Sequence, residues 1–105
     1  MNKEEILQVI IALKPLLKKE GITLLGVFGS FARGDYHSDS DVDILYDIDD
    51  PKAFSQKFGG FTAFTKLEEF KKMIAERLGR KVDFVAKKGL NSISKKYVMR
   101  DLLYV

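Results

Sequence analysis

Gly29-Ser30, followed after ten residues by Asp41-Val42-Asp43-Ile44-Leu45-Tyr46, is the stretch whose reading decides the fold. The β-branched and aromatic residues of 41–46 favour a strand, in which side chains at i and i+2 share one face. Val42, Ile44 and Tyr46 then face an interior, and Asp41 and Asp43 point together from the other side. Close carboxylates repel, and desolvating one unpaired costs roughly 2–5 kcal/mol. A divalent cation removes that objection, and a donor set made only of oxygen suits Mg²⁺. The chain has no Cys and His37 is its only histidine, so disulfides and Cys-zinc sites are excluded.

Upstream, Thr23-Leu24-Leu25-Gly26-Val27-Phe28 reads as a buried strand that runs directly into Gly29-Ser30 and a short helix-compatible segment, Phe31-Ala32-Arg33. A glycine at such a turn lets backbone approach a phosphate closely, and N–H groups at a helix start, with the Ser30 hydroxyl, donate to it. Gly29 and Ser30 are therefore the candidate phosphate cradle, and the whole stretch reads as a metal-dependent nucleotide site.

Outside this centre, Glu4 to Lys19 carries an apolar stripe at Ile6, Leu7, Ile10, Leu13, Leu16 and Leu17 that predicts a helix over one face of the sheet, with Pro15 expected to bend it or end its first part. Leu67 to Leu78 predicts a second helix closed by Gly79, and Asn91 or Ser92 is placed to cap a third that runs to about Leu103. Lys81-Val82-Asp83-Phe84-Val85 predicts a third strand. Asp49 to Thr65 is expected to be one long irregular stretch. Its Phe residues either form a mobile lid over a base or a partner contact, or fold back onto the core. The expected fold class is α+β, a small mixed β-sheet packed by α-helices.

The 105 residues, 46% hydrophobic with eight Phe, are expected to form a single domain spanning 1–105. No apolar run approaches the roughly 20 residues that span a bilayer. The amino terminus lacks a signal-peptide layout, so a cytoplasmic protein with no membrane contact is expected. The net charge of +3 is unevenly spread: every charged residue from Asp35 to Asp50 is acidic, whereas basic residues dominate from Lys66 onward. The basic part suits either a polyanion such as ATP or RNA, or an ordinary solvated surface.

On Gly29-Ser30, the ten-residue interval and Asp41-x-Asp43, the chain resembles the minimal nucleotidyltransferases of the DNA polymerase β superfamily, and the resemblance spans essentially its full length. It implies a third carboxylate on a later strand, for which Asp83 is the match; without it Asp83 reads as an exposed residue on an edge strand. It also implies two Mg²⁺ ions, with Mn²⁺ as the alternative, held by Asp41, Asp43 and Asp83. ATP is the expected substrate, with Gly29 and Ser30 gripping its β- and γ-phosphates. Minimal nucleotidyltransferases of this kind are typically antitoxins paired with a HEPN-domain ribonuclease toxin. The resemblance therefore implies transfer of AMP onto a tyrosine of that toxin. Two readings compete: an antitoxin that neutralises by binding alone, and a transferase acting on an RNA or small-molecule hydroxyl. The acceptor must come from a partner or a second protomer, and oligomeric state is left open.

Of the remaining polar residues, Arg33 stands three positions after Ser30, either as a counter-charge for a triphosphate or as an exposed side chain. Ser40 is expected to hydrogen-bond the turn before the strand. His37 lacks a second histidine with which to share a metal. Lys87 and Lys88 read as a solvated pair.

Overall fold

Asn2 opens the first helix with a reciprocal cap: its Oδ1 accepts from the Glu5 N–H at 2.9 Å, while Glu5 Oε1 accepts from the Asn2 N–H at 3.1 Å. The computed structural model, which describes residues 1–105, continues this helix, α1, unbroken over Lys3–Lys18. Pro15, expected to bend the helix or end its first part, does not end it. Proline there deletes a single intrahelical donor near the end of the helix, and the buried stripe of Ile6, Ile10, Leu13 and Leu17 passes it on both sides.

Strand β1 (Ile22–Phe28) leads directly into α2 (Gly29–Arg33), and β2 (Val42–Ile48) returns antiparallel to β1 in a register that pairs Ile22 with Ile48 and Phe28 with Asp43. One irregularity between Leu24 and Gly26 shifts that register, as a bulge does. Beyond β2 the chain contradicts the expected irregular stretch 49–65. It forms two helices, α3 (Pro51–Phe58) and α4 (Gly60–Leu78), so α4 starts seven residues before Leu67. Asp50 caps α3 by accepting from the Ala53 N–H at 3.1 Å, Pro51 takes the first helical turn, and a single residue of positive φ, Gly59 (φ 69°), separates the two helices. A double glycine that reads as loop is thus a one-residue joint. Of the aromatics, Phe54 is buried and Phe58 packs on the core, so these two fold back, whereas Phe61 is 85% exposed.

Helices α3 and α4 make the crossover that a parallel strand requires, and β3 (Val82–Ala86) pairs parallel to β2, with Asp43 opposite Asp83. A short 3₁₀ turn at Lys87–Gly89 precedes α5 (Ser92–Asp101), which is capped by Asn91 accepting from the Ser94 N–H at 2.8 Å. This third helix ends two residues earlier than expected, because Leu103–Tyr104 form a fourth strand, β4, antiparallel to β1. Gly26 makes that pairing possible: a Cβ there would overlap the Leu103 carbonyl and lie 2.8 Å from Leu102 Cδ1. The mixed sheet has the order β3-β2-β1-β4, one strand more than the sequence suggests. The core lies against the face that carries Leu24, Val42 and Ile44, under Ile6 and Ile10 of α1 and Ile74 of α4. No helix is long and apolar enough to cross a membrane.

Candidate active site

The strand ends place the site. Gly29 terminates β1 with φ +74°, a left-handed conformation that a side chain disfavours. A Cβ on Gly29 would overlap Asp43 Oδ2 and stand 3.1 Å from Asp43 Cγ. The Asp43 carboxylate therefore rests against a bare α-carbon, the reason for glycine at this position. Ser30 follows in the first turn of α2, and no side chain caps that turn, which leaves its first N–H groups for an incoming acceptor.

Asp43 stands in β2 between Val42 and Ile44, both fully buried, so its side chain emerges on the opposite face but at the margin of the core. The parallel register puts Asp83 directly beside it, and residues paired this way point to the same face. Asp41, two positions before Asp43, shares that face at the entrance to β2. Asp41 and Asp83 are exposed and Asp43 is half-buried. Burial, with the neighbouring charges of Asp83 and then Asp41, pushes the Asp43 carboxyl up to about 6, and the Arg33 guanidinium opposes the rise. As their side chains stand, no three acidic or histidine residues converge into a ligand group for a metal ion. The backbone positions, however, align three oxygen donors at adjacent strand ends.

Arg33 does not point freely into the site. Its Nη1 donates to Asp101 Oδ2 at 2.9 Å and its Nε to Asp35 Oδ2 at 3.1 Å. Asp101, on α5 and 11% exposed, also accepts from Arg100 Nε at 3.1 Å, and the Arg100 and Arg33 guanidinium groups hold its carboxyl below the usual range. Arg33 is thus tied by ion pairs while remaining close enough to Asp43 to oppose its rise.

A second arginine, passed over in the sequence, organises the interval before Asp41. Arg80 Nη1 donates to the carbonyls of His37, Ser38 and Ser40 at 3.2, 3.0 and 3.1 Å, and its guanidinium carbon lies 4.9 Å from the centre of the Phe31 ring. Phe31 stacks in turn on Tyr36, with centroids 4.1 Å apart. The interval between Ser30 and Asp41 is therefore pinned to α2 at one end and to the second residue after α4 at the other. Neither Arg80 nor Asp101 carries a local motif, since Arg80 acts on residues at least 40 positions away and Asp101 reaches Arg33 across 68. Ser40 accepts from the His37 N–H at 3.0 Å, the turn expected of it, and His37 Nδ1 accepts from the Asp39 N–H at 3.2 Å. Lys88 pairs with Asp47 at 2.7 Å, away from the three carboxylates.

A glycine-serine turn that opens a helix, set against aligned carboxylates on adjacent strands, suits the chemistry of nucleotidyl transfer. The chain belongs to the nucleotidyltransferase domain family, whose model matches residues 6–104. It is 38% identical over 106 residues to the protein adenylyltransferase MntA of Thermococcus cleftensis, covering 100% of this chain and 97% of that protein. A solved structure described as a minimal nucleotidyltransferase matches with a TM-score of 0.74 and 27% identity, over 100% of this chain and 97% of its own. The fold also recurs in a toxin-antitoxin structure with AMP-PNP, at a TM-score of 0.62 and 19% identity over 99% of this chain and 72% of that one. The resemblance read from the sequence and the α+β class are both borne out.

Proposed function

We propose that this chain, working as one unit over 1–105, transfers AMP from ATP to a tyrosine of a partner HEPN-domain ribonuclease toxin and thereby acts as its cytoplasmic antitoxin. The observation that carries the reading is the contact of Asp43 with the bare Gly29 α-carbon, with Asp83 in register beside it. It brings a phosphate-binding turn and the acidic strand ends to one point. The 38% identical relative named a protein adenylyltransferase supports a protein acceptor.

Asp41, Asp43 and Asp83 fit divalent cations by donor chemistry: hard oxygens, aligned, with burial and then mutual repulsion raising Asp43. Bound there, Mg²⁺ or Mn²⁺ would lower the pKa of the acceptor hydroxyl and stabilise the departing pyrophosphate. Ser30 and the first amides of α2 hold the β- and γ-phosphates. Asp83, exposed on the outer strand, takes the acceptor's proton as its oxygen bonds to the α-phosphorus and the bond from that phosphorus to the bridging oxygen breaks. Arg33 supplies positive charge beside the triphosphate from its tethered position.

The test is incubation with α-labelled ATP, Mg²⁺ and the partner toxin, beside an Asp41→Asn/Asp43→Asn variant. Label appears on the toxin with the wild-type chain and not with the variant. Equal labelling by both would remove the carboxylates from the reaction.

A further inference from the structure

Helix α5 is held to the body of the protein along one side only. Val98 is its single buried residue, and Ser94 and Asp101, four before it and three after, turn the same way and are half-buried. Val98 and Leu45 are both buried outside the main core, so α5 lies on the sheet face opposite α1 and α4. Leu45 stands two residues beyond Asp43, and Asp83 is paired with Asp43, so this is the face from which the carboxylates emerge. On the outward side of α5, Ile93, Tyr97 and Arg100 recur at i, i+4 and i+7. Ile93 is 70% and Tyr97 58% exposed, a large aliphatic and a large aromatic side chain left in water one turn apart. Resting on the reading of transfer to a protein hydroxyl, we propose that the outward face of α5 is where the acceptor protein docks, seating Ile93 and Tyr97 in an apolar groove rimmed by its carboxylates.

Charge selects the rim of that groove. With every charged residue counted, α5 carries three cations, Lys95, Lys96 and Arg100, against one carboxylate, Asp101. Asp101 turns inward, where Arg33 and Arg100 donate to its oxygens, and Asp35, which follows α2, is likewise paired with Arg33. Lys95 and Lys96 form no salt bridge. The exposed side of α5 is therefore positive with no carboxylate of its own, which attracts an acidic partner and repels the same face of a second copy. Nucleic acid fits it poorly. Ile93, its most exposed apolar member, offers nothing to a base or a phosphate. The Arg100 guanidinium carbon stands 5.3 Å from the centre of the Tyr97 ring and occupies one stacking face, while Arg100 itself is paired with Asp101. Two unpaired lysines fall short of the roughly 6–10 phosphate contacts that give such complexes their affinity. Aliphatic and aromatic anchors one helical turn apart, flanked by cations, suit a helix that enters a groove on another protein. Tyr97 also lies one turn before Asp101, which ties Arg33, so a protein seated on α5 stands beside the reaction centre.

The test is calorimetric titration of the whole chain with the partner HEPN-domain toxin in the absence of nucleotide. Ile93→Ser/Tyr97→Ser keeps the wild-type circular dichroism spectrum and loses at least about 30-fold in affinity. Lys95→Glu/Lys96→Glu loses about tenfold at low salt, and the loss shrinks as NaCl is raised. Lys71→Glu/Lys72→Glu, on α4, binds as wild type does. Hydrogen exchange slows at residues 92–101 when the toxin is added. No binding by wild type, wild-type affinity in Ile93→Ser/Tyr97→Ser, or protection confined to other segments would overturn the proposal. Undiminished affinity in Lys95→Glu/Lys96→Glu would remove the carboxylate rim and overturn it as stated. Protection of the same residues by decauridylate RNA but not by the toxin would overturn it in favour of a nucleic-acid surface. A wild-type dimer that Ile93→Ser/Tyr97→Ser converts to monomer, with no toxin bound, would overturn it in favour of a second copy. The transfer reading is judged separately, by label on the toxin. Toxin held through α5 but never labelled removes the reaction and leaves the surface; labelling by Ile93→Ser/Tyr97→Ser at the wild-type KM for toxin removes the surface and leaves the reaction.

Discussion

Replacing Gly29 by alanine separates backbone strain from damage to the site, because Gly21 supplies a control. Both glycines have positive φ, +74° and +83°, and both substitutions force a side chain into the left-handed region at a cost of about 1–2 kcal/mol. A Cβ on Gly21 meets nothing within 4 Å, so that cost is the whole effect there. On Gly29 the Cβ overlaps Asp43 Oδ2, and Asp43 must leave its rotamer or the strand end must shift, for a further ~0.5–1.5 kcal/mol. Moving the carboxylate towards water relieves part of its desolvation, which offsets some of that second term. Stability therefore separates the variants weakly, while activity separates them strongly. A reacting group displaced by an ångström loses on the order of 10²-fold in rate. In urea denaturation followed by circular dichroism, Gly21→Ala and Gly29→Ala both lose stability, Gly29→Ala by the same amount or more. In the labelled-ATP assay Gly21→Ala retains wild-type activity and Gly29→Ala loses about 100-fold. Gly29→Ala with activity equal to Gly21→Ala would refute the argument that Asp43 needs the bare α-carbon.

Further perturbations probe the charges around this contact. Asp43 ionises near 6 in the folded chain against an ordinary value of 3.8, so its ionisation disfavours folding, with no penalty below the ordinary value and the full penalty above about 6. The difference corresponds to at most about 3 kcal/mol and, after solvent screening of this half-buried group, about 1–2 kcal/mol. In EDTA, Asp43→Asn is accordingly more stable than wild type at pH 7.5 and equal to it at pH 3.5; an advantage that did not change with pH would exclude charge as the cause. Arg80→Ala leaves three backbone carbonyls without their donor and costs about 1–3 kcal/mol. Its hydrogen exchange quickens at residues 37–41 and its kcat falls, and Arg80→Lys restores part of both. Asp101→Asn releases Arg33 from α5 and raises the KM for ATP several-fold with little change in kcat; an unchanged KM would mean that Arg33 serves only to join α2 to α5.

Short-range chemistry was legible in the chain because it lies within a few residues. Alternation in 42–46 set the strand and sent Asp41 and Asp43 to one face, while Gly79 and Asn91 marked helix ends at their own positions. Errors came where a local signal had two outcomes. Gly59-Gly60 reads as loop, yet one residue of positive φ between two helices satisfies the same glycines, and Phe54 of the first is buried. The final leucines carry a helical pattern, but they complete the open edge of β1, where backbone groups need partners and Gly26 lets them approach.

The sequence by itself determined the α+β class, the Gly29-Ser30 turn and the paired Asp41 and Asp43, since each depends on contiguous residues and the periodicity of one strand. Only the tertiary structure decided that Asp83 lies in register beside Asp43, that Asp101 ties Arg33, and that Arg80 clamps the loop before Asp41. Those relations join residues about 40 to 70 positions apart. They exist only once the crossover through α3 and α4 has placed β3 next to β2.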